Sequence, residues 1–283
     1  MAQRLGMIAE WRLAGRELPK IKLKPKASFR LVSMGGKNHL SLLRESLHSF
    51  ARNASEIPPL TIISDGSLEP TDFNESLSFW PGSIQVMMPE EVMEPLDLSI
   101  RDPLKLLVAS NPLGLKLSAI IALSARGSML FMDLDILWFS DMIPLLKNEI
   151  EKYQIATALE ENSNVNMNLA QKYAPELLSI PSVNTGCVIT NCDISTLEPL
   201  KEVLLYVQNS SDLENRINEQ TIIGILATRN GGFLDSKLLL THFNDAFFIN
   251  NRRPWKEGYH ARHYVAFMRH QFYRDAILIK QTQ

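Results

Sequence analysis

Apolar and polar positions along the chain fall into short runs that switch repeatedly between strand and helix periods. Residues 28–36 (SFRLVSMGG) run apolar and close on glycines, which predicts a first buried strand. Helical spacing follows from about His39 to Asn53, and Pro58-Pro59 breaks it. Residues 60–66 (LTIISDG) predict a second strand ending in a polar turn. The Asp, Asn, Ser, Pro and Gly content of 67–82 predicts loop with room for a short helix, and 84–88 (IQVMM) predicts a third strand. This alternation is the signature of a parallel sheet with crossover helices.

Residues 89–114 carry Pro89, Pro95, Pro103 and Pro112 and read as irregular, a loop able to close over a ligand. Helical spacing resumes from Leu115 to Arg126, and Gly127 ends it. The segment 128–139 (SMLFMDLDILWF) then reads as a buried strand whose carboxyl end carries two acids. The second half predicts strands at 155–159, 186–190 and 238–243. It also predicts helices at 167–179 and 195–208 and one starting near Asn218. An aromatic-rich segment fills 259–278, and there is no internal repeat.

Composition narrows the class. With 283 residues, 45% hydrophobic and 21% charged, the chain can bury a substantial core. A net charge of -2 argues against nucleic acid as a partner, which needs a basic excess. The 2 cysteines, Cys187 and Cys192, are too few for a disulfide scaffold and suit a reduced, cytoplasmic setting. No apolar run reaches the roughly 18 residues needed to span a bilayer, and the N-terminus lacks the apolar core of a signal peptide. Residues 1–27 are expected to form a basic arm before one domain at 28–283. Arg4, Arg12, Arg16, Lys20, Lys22, Lys24 and Lys26 face only Glu10 and Glu17 in its first 26 residues. Such an arm is either a solvated extension or, with Trp11, Leu13 and Ile21 interleaved, a weak peripheral contact with an anionic membrane.

The chemistry centres on Asp133-Leu134-Asp135. Carboxylates one residue apart on a strand point to the same side, so both reach one ion. Hard oxygen ligands suit Mg²⁺ or Mn²⁺, and a diphosphate leaving group needs such a cation to neutralise it. The apolar runs on either side make an exposed turn a poor explanation, and buried acids require a cation or hydrogen bonds.

The stretch LKLSAIIALSARGSMLFMDLDILWFSDM resembles the helix, strand and Asp-x-Asp segment of GT-A glycosyltransferases. It is most similar to family 8, the glycogenin-like and galactosyltransferase-like group. The resemblance implies a GT-A α/β fold, with a Rossmann-like, mostly parallel central sheet flanked by helices. It also implies a nucleotide-diphosphate-sugar donor and an acceptor that is a glycan, a lipid-linked molecule or a small molecule. Family 8 members retain anomeric configuration; the residues themselves leave retention or inversion open.

Residue by residue, the resemblance assigns Lys116 and Arg269 to the donor diphosphate, and Asp133, Asp135 and His263 to the metal, with Asp133 also touching ribose. Asn184-Thr185-Gly186 matches an Asn-x-Gly segment beside the donor sugar, with Gly186 allowing close backbone approach. Asn218-Glu219-Gln220 matches a segment opening a helix near the reacting carbon. It makes Glu219 a candidate for hydroxyl contacts or general-base work and Gln220 a sugar ligand; a helix cap explains the same residues. Ser33, Met34 and Gly35 fall where the family packs the base, and Asp65 is placed to accept from base or ribose. The closing motif, His263 followed by Arg269, lacks the family's glycine and Pro-Trp. A rival lies upstream in His242, with Arg253-Pro254-Trp255 after it, while His260 and His270 are read as neighbours.

Three other readings use the same acids. A haloacid-dehalogenase-type phosphotransferase uses Asp-x-Asp with a nucleophilic first Asp, but there the motif opens the first strand. A nucleotidyltransferase shares the metal chemistry. A non-catalytic binding module on the same fold shares the architecture, since fold does not imply function.

Overall fold

A computed structural model describes residues 17–160, 165–210, 213–241, 254–265 and 268–281. Its central feature is a 7-stranded sheet in the order β3-β2-β1-β4-β7-β6-β8. The strands are β1 (Arg30–Gly35), β2 (Leu60–Ser64), β3 (Ile84–Met87), β4 (Met129–Met132), β6 (Ile155–Leu159), β7 (Val183–Thr190) and β8 (Gly232–Phe233). β1 pairs in parallel with β2 and β4, β2 with β3, and β6 with β8, while β7 runs antiparallel to β4 and β6.

Successive residues of the inner strands enter different cores. Leu31, Ile62 and Leu130 join one apolar cluster, and Val32, Ile63 and Phe131 join the other. The strands therefore read as continuous apolar runs, as expected for a sheet covered on both faces. One face is covered by α1 (Leu40–Asn53), and by α6 (Ile143–Lys152), which the sequence reading did not find. The other is covered by α4 (Leu98–Ser110), α5 (Leu113–Ser124), α8 (Leu200–Gln208) and α9 (Ile217–Asn230). The short helices α3 (Pro89–Met93) and α7 (Met167–Tyr173) join that face, and α2 (Pro70–Ser76) packs Phe73 into the first.

The segment 128–139 is two strands rather than one. β4 ends at Met132, the chain turns at Leu134-Asp135, and β5 (Ile136–Trp138) leaves for a second sheet. That 3-stranded sheet has the order β5-β10-β9, with β9 at Leu239–Thr241 and β10 at Ala261–His263. β10 is antiparallel to β5 and pairs His263 with Ile136. The C-terminal helix α10 (Arg269–Gln281) packs on this sheet through Phe272 and Tyr264.

Residues 89–114 correct the expectation of a mobile loop. Pro89 stands at the start of α3, where its missing N–H costs nothing, and Pro112 immediately precedes α5. Pro103 lies inside α4, whose Ile100, Leu104 and Leu107 are buried in the core. Two other helices are shorter than expected. Pro175 follows the end of α7 and opens a 3-10 turn, and α8 begins only after Pro199.

The described part of the basic arm lies on the fold. Leu18 and Ala27 are buried, Ile21 N donates to Phe79 O at 3.2 Å, and Ala27 N donates to Ile57 O at 3.1 Å. Lys24 Nζ reaches the last carbonyls of α1, donating to Ala51 and Arg52 at 2.9 Å each and also to Ala54. Residues 1–16, with Arg4, Arg12, Arg16, Trp11 and Leu13, lie outside the described residues, as do His242 and Arg253. Both cysteines are free, and no helix among the described residues is long and apolar enough to cross a membrane.

Candidate active site

The two sheets meet where β4 turns into β5, and this junction places the acids. Asp133 N donates to Gly186 O at 2.8 Å, one step beyond the β4–β7 ladder. Tyr264 N donates to Asp135 O at 2.9 Å, one step beyond the β5–β10 ladder. The second of these ladders carries His263 to Asp135, 128 residues away in sequence, with Nε2 3.0 Å from Oδ1. The same nitrogen lies 3.7 Å from Asp133 Oδ2. One ligand atom from each of Asp133, Asp135 and His263 falls within a 4.8 Å cluster.

A bulge shapes the opposite wall. The pairing of β6 with β7 jumps from Thr157–Val188 to Ala158–Asn184, and residues 185–187 leave the ladder. The Thr157 hydroxyl donates to Asn184 O at 2.8 Å and fixes the irregularity. Bulges commonly re-aim side chains beside sites in this way. Asn184, Thr185 and Gly186 consequently line a cavity of about 390 Å³ together with Lys116, Asp133, Asp135, Glu219, Gln220, His263 and Arg269.

Positive side chains balance the acids. Lys116 Nζ is buried and lies 3.0 Å from Asp133, 3.1 Å from Thr185 Oγ1 and 3.6 Å from Glu219. Burial works against its charge, but the Asp133 and Glu219 carboxylates outweigh it and hold its pKa above the ordinary lysine value. Burial likewise opposes the charge of Asp135. His263 and Arg269, whose Nε is 3.0 Å from Oδ2, prevail and bring the Asp135 pKa down to about 2. Burial pushes the Glu219 carboxyl up, against the pull of Lys116 and with the help of Asp133.

The structure separates the expected site residues into groups. Met34, Lys116, Asp133, Asp135, Asn184, Gly186, Glu219, Gln220, His263 and Arg269 all line the one cavity. Glu219 is buried there; its Oε2 accepts from Thr185 Oγ1 at 3.0 Å, and its Oε1 lies 3.6 Å from Lys116 Nζ. Ser33 is fully buried, donates to Met132 O at 2.8 Å and lies outside the cavity lining. Gly35 lies outside the cavity lining. Asp65 is exposed and accepts from Ser67 N at 2.9 Å, also outside the lining. Gly186 lies against a side chain of this protein: a Cβ there would overlap the His263 ring and approach Asn184 Oδ1 to 2.8 Å. His260, just before β10 and outside the cavity lining, has Nδ1 2.8 Å from Ser140 Oγ.

The sequence reading missed Glu160. It stands at the carboxyl end of β6, lines the cavity, and accepts from Asn184 Nδ2 at 2.9 Å. Burial raises its pKa, with the Asn184 amide opposing. Its signal was the one that identified Asp133, an acid directly after an apolar strand run.

Residues 110–275 match the family model described as nucleotide-diphospho-sugar transferase. No curated protein sequence matches the chain. Among solved structures, it is similar to mouse xyloside xylosyltransferase 1, with 15% identity, a TM-score of 0.55, and coverage of 83% of this chain and 97% of that one. It is also similar to the galactosyltransferase LgtC in complex with donor and acceptor sugar analogues, with 14% identity, TM-score 0.53, and coverage of 88% and 96%. A third similar structure is the glycosyltransferase GlyE of Streptococcus pneumoniae TIGR4, with 11% identity, TM-score 0.57, and coverage of 90% and 63%. At such identities the likeness is one of fold, and the GT-A arrangement expected from the sequence is the one these structures share.

Proposed function

Because the chain belongs to the nucleotide-diphospho-sugar transferase family, we propose that it is a metal-dependent glycosyltransferase. It moves a sugar from a nucleotide-diphosphate-sugar donor to a hydroxyl of a glycan, lipid-linked or small-molecule acceptor. The observation that carries the reading is the convergence of Asp133, Asp135 and His263 on one point of the cavity floor.

The donor set fits Mn²⁺ or Mg²⁺. Two carboxylates and one imidazole offer hard oxygens and a borderline nitrogen, leaving coordination positions for phosphate oxygens. The lowered Asp135 pKa keeps that acid ionised and ready to ligate across the physiological range. Arg269 and Lys116 on the two carboxylates indicate how much positive charge the pair demands. When bound, the cation neutralises the diphosphate and acts as a Lewis acid on the leaving group.

The chain's own residues supply the rest. Lys116, held between Asp133 and Glu219, provides fixed positive charge beside the leaving phosphate. Arg269 is 42% exposed and touches only Asp135 among the acids of the site, so it is free to turn its planar fork to phosphate oxygens. Gln220, half-buried at the first turn of α9, faces the sugar with an amide. Glu219 acts through Lys116 and Thr185 by keeping both in place.

A thermal-shift screen of nucleotide-diphosphate sugars, with and without Mn²⁺, tests this reading. The expected result is a donor that raises the melting temperature only when Mn²⁺ is present. Stabilisation by donors irrespective of metal, or by none of them, removes the reading.

A further inference from the structure

Resting on the cation reading above, we propose that Glu160 is a positioning residue: acting through Asn184, it fixes the His263 ring with Nε2 turned to the two aspartates.

The argument starts from groups that can only donate or only accept. Gly186 N is a backbone donor, and it lies 2.9 Å from Asn184 Oδ1. That atom must therefore be the amide oxygen. At the other end of the same amide, Asn184 Nδ2 lies 2.9 Å from Glu160 Oε2. A carboxylate oxygen accepts, so it requires the amide nitrogen there. The two contacts select one amide orientation. The flipped form would set Nδ2 against the Gly186 N–H and Oδ1 against Glu160, two repulsive pairs in a buried place.

His263 Nδ1 lies 3.0 Å from Asn184 Oδ1. With that oxygen fixed as an acceptor, Nδ1 must be the donor. The other nitrogen, Nε2, is then the one facing Asp135 and Asp133, at 3.0 and 3.7 Å. Gly186 packs against the ring and limits its rotation. Glu160 is itself anchored, since its N–H donates to Ser182 O at 2.7 Å and its Oε1 lies 3.4 Å from Ser182 Oγ. Glu160 thus lines the cavity yet commits its carboxylate to the wall. Such outer partners set the orientation of a metal-binding histidine, and their loss commonly costs about 10–100-fold in metal affinity.

The test is Mn²⁺ binding by calorimetry, with the modulation of the Mn²⁺ electron-spin echo by a coordinated imidazole nitrogen as a second readout. Glu160→Ala is expected to bind Mn²⁺ at least about tenfold more weakly and to lose the nitrogen signature. Glu160→Gln offers Oε1 to Asn184 and is expected to keep both. Asn184→Asp places two carboxylates together and is expected to disturb the nitrogen signature. The pair Asn184→Asp with Glu160→Gln restores a donor facing an acceptor at unchanged net charge, and is expected to recover it. Glu160→Ala with unchanged Mn²⁺ affinity and signature, or Glu160→Gln as impaired as Glu160→Ala, overturns the relay alone. Wild-type protein that takes up no Mn²⁺ overturns the cation reading beneath it.

Discussion

The imidazole of His263 occupies the space that a side chain at position 186 would fill. A Cβ on Gly186 would collide with Nδ1 and come within 2.6 Å of Cε1. Gly186→Ala is therefore expected to push the ring off the aspartates. Overpacking of this kind costs about 1–3 kcal/mol of stability, and the displaced ligand should weaken Mn²⁺ binding by roughly tenfold. Unfolding curves and calorimetry on the same variant check both effects.

The acids of the site give the metal-free protein a specific pH dependence. Glu219 has its folded pKa raised above 4.5, so its contribution is complete below that value and is lost as pH rises through the folded value. Glu160 has the same sign. Asp135 is the opposite case, with a contribution present above 3.8 and lost only as pH falls through about 2. The metal-free protein is expected to melt higher near about pH 5 than near about pH 7.5, and Glu219→Gln should reduce that difference. Melting temperatures across this range, in chelator, provide the check.

Arg269 holds Asp135 Oδ2 at 3.0 Å, which puts it in competition with a cation. Arg269→Gln should strengthen binding of Mn²⁺ alone by about 1 kcal/mol or less, since the pair is partly exposed. The same change should weaken binding of a nucleoside diphosphate in the presence of Mn²⁺, because the phosphate clamp is gone. Opposite signs in the two titrations are the expected outcome; a loss in both would assign Arg269 a purely structural part.

Much of this site was legible from the residues, for identifiable reasons. Asp133 and Asp135 stood out because an apolar run flanks them on each side, and burial made an ion or hydrogen bonds necessary. Lys116, Asn184 and His263 followed only through their order along the chain. The break between β4 and β5 was hidden, because Ile136–Trp138 continues the apolar pattern and the strand that draws it away, β10, lies far along the chain. Two prolines of 89–114 misled for a local reason: Pro89 and Pro112 stand at helix starts, where proline is compatible with the helix, while Pro103 is accommodated inside α4. Glu160 was obscured by the polar sequence that follows it, and the partner of Gly186 depends on a contact between β7 and β10 that no local pattern encodes.

Lys24 gives the basic arm a structural part. Its Nζ caps carbonyls at the end of α1, whereas Lys20, Lys22 and Lys26 are exposed. Lys24→Met should cost about 1–2 kcal/mol of stability, and Lys22→Met almost nothing. Peripheral contact with an anionic membrane is a proposal for the exposed charges. Replacing Lys20, Lys22 and Lys26 with Gln should abolish low-salt binding to vesicles containing phosphatidylserine while leaving the melting temperature unchanged. Wild-type protein that ignores such vesicles at low salt would reduce the arm to a structural strap.

The most direct test of the central claim is Mn²⁺-dependent release of sugar from a nucleotide-diphosphate-sugar donor, compared between wild type and Asp135→Asn. The substitution keeps the shape of the side chain and removes its charge. The account expects wild-type turnover that chelator abolishes and Mn²⁺ restores, and an Asp135→Asn protein that is folded but inactive at every Mn²⁺ concentration. A folded Asp135→Asn protein that turns over the donor at near wild-type rate, with or without Mn²⁺, would contradict it.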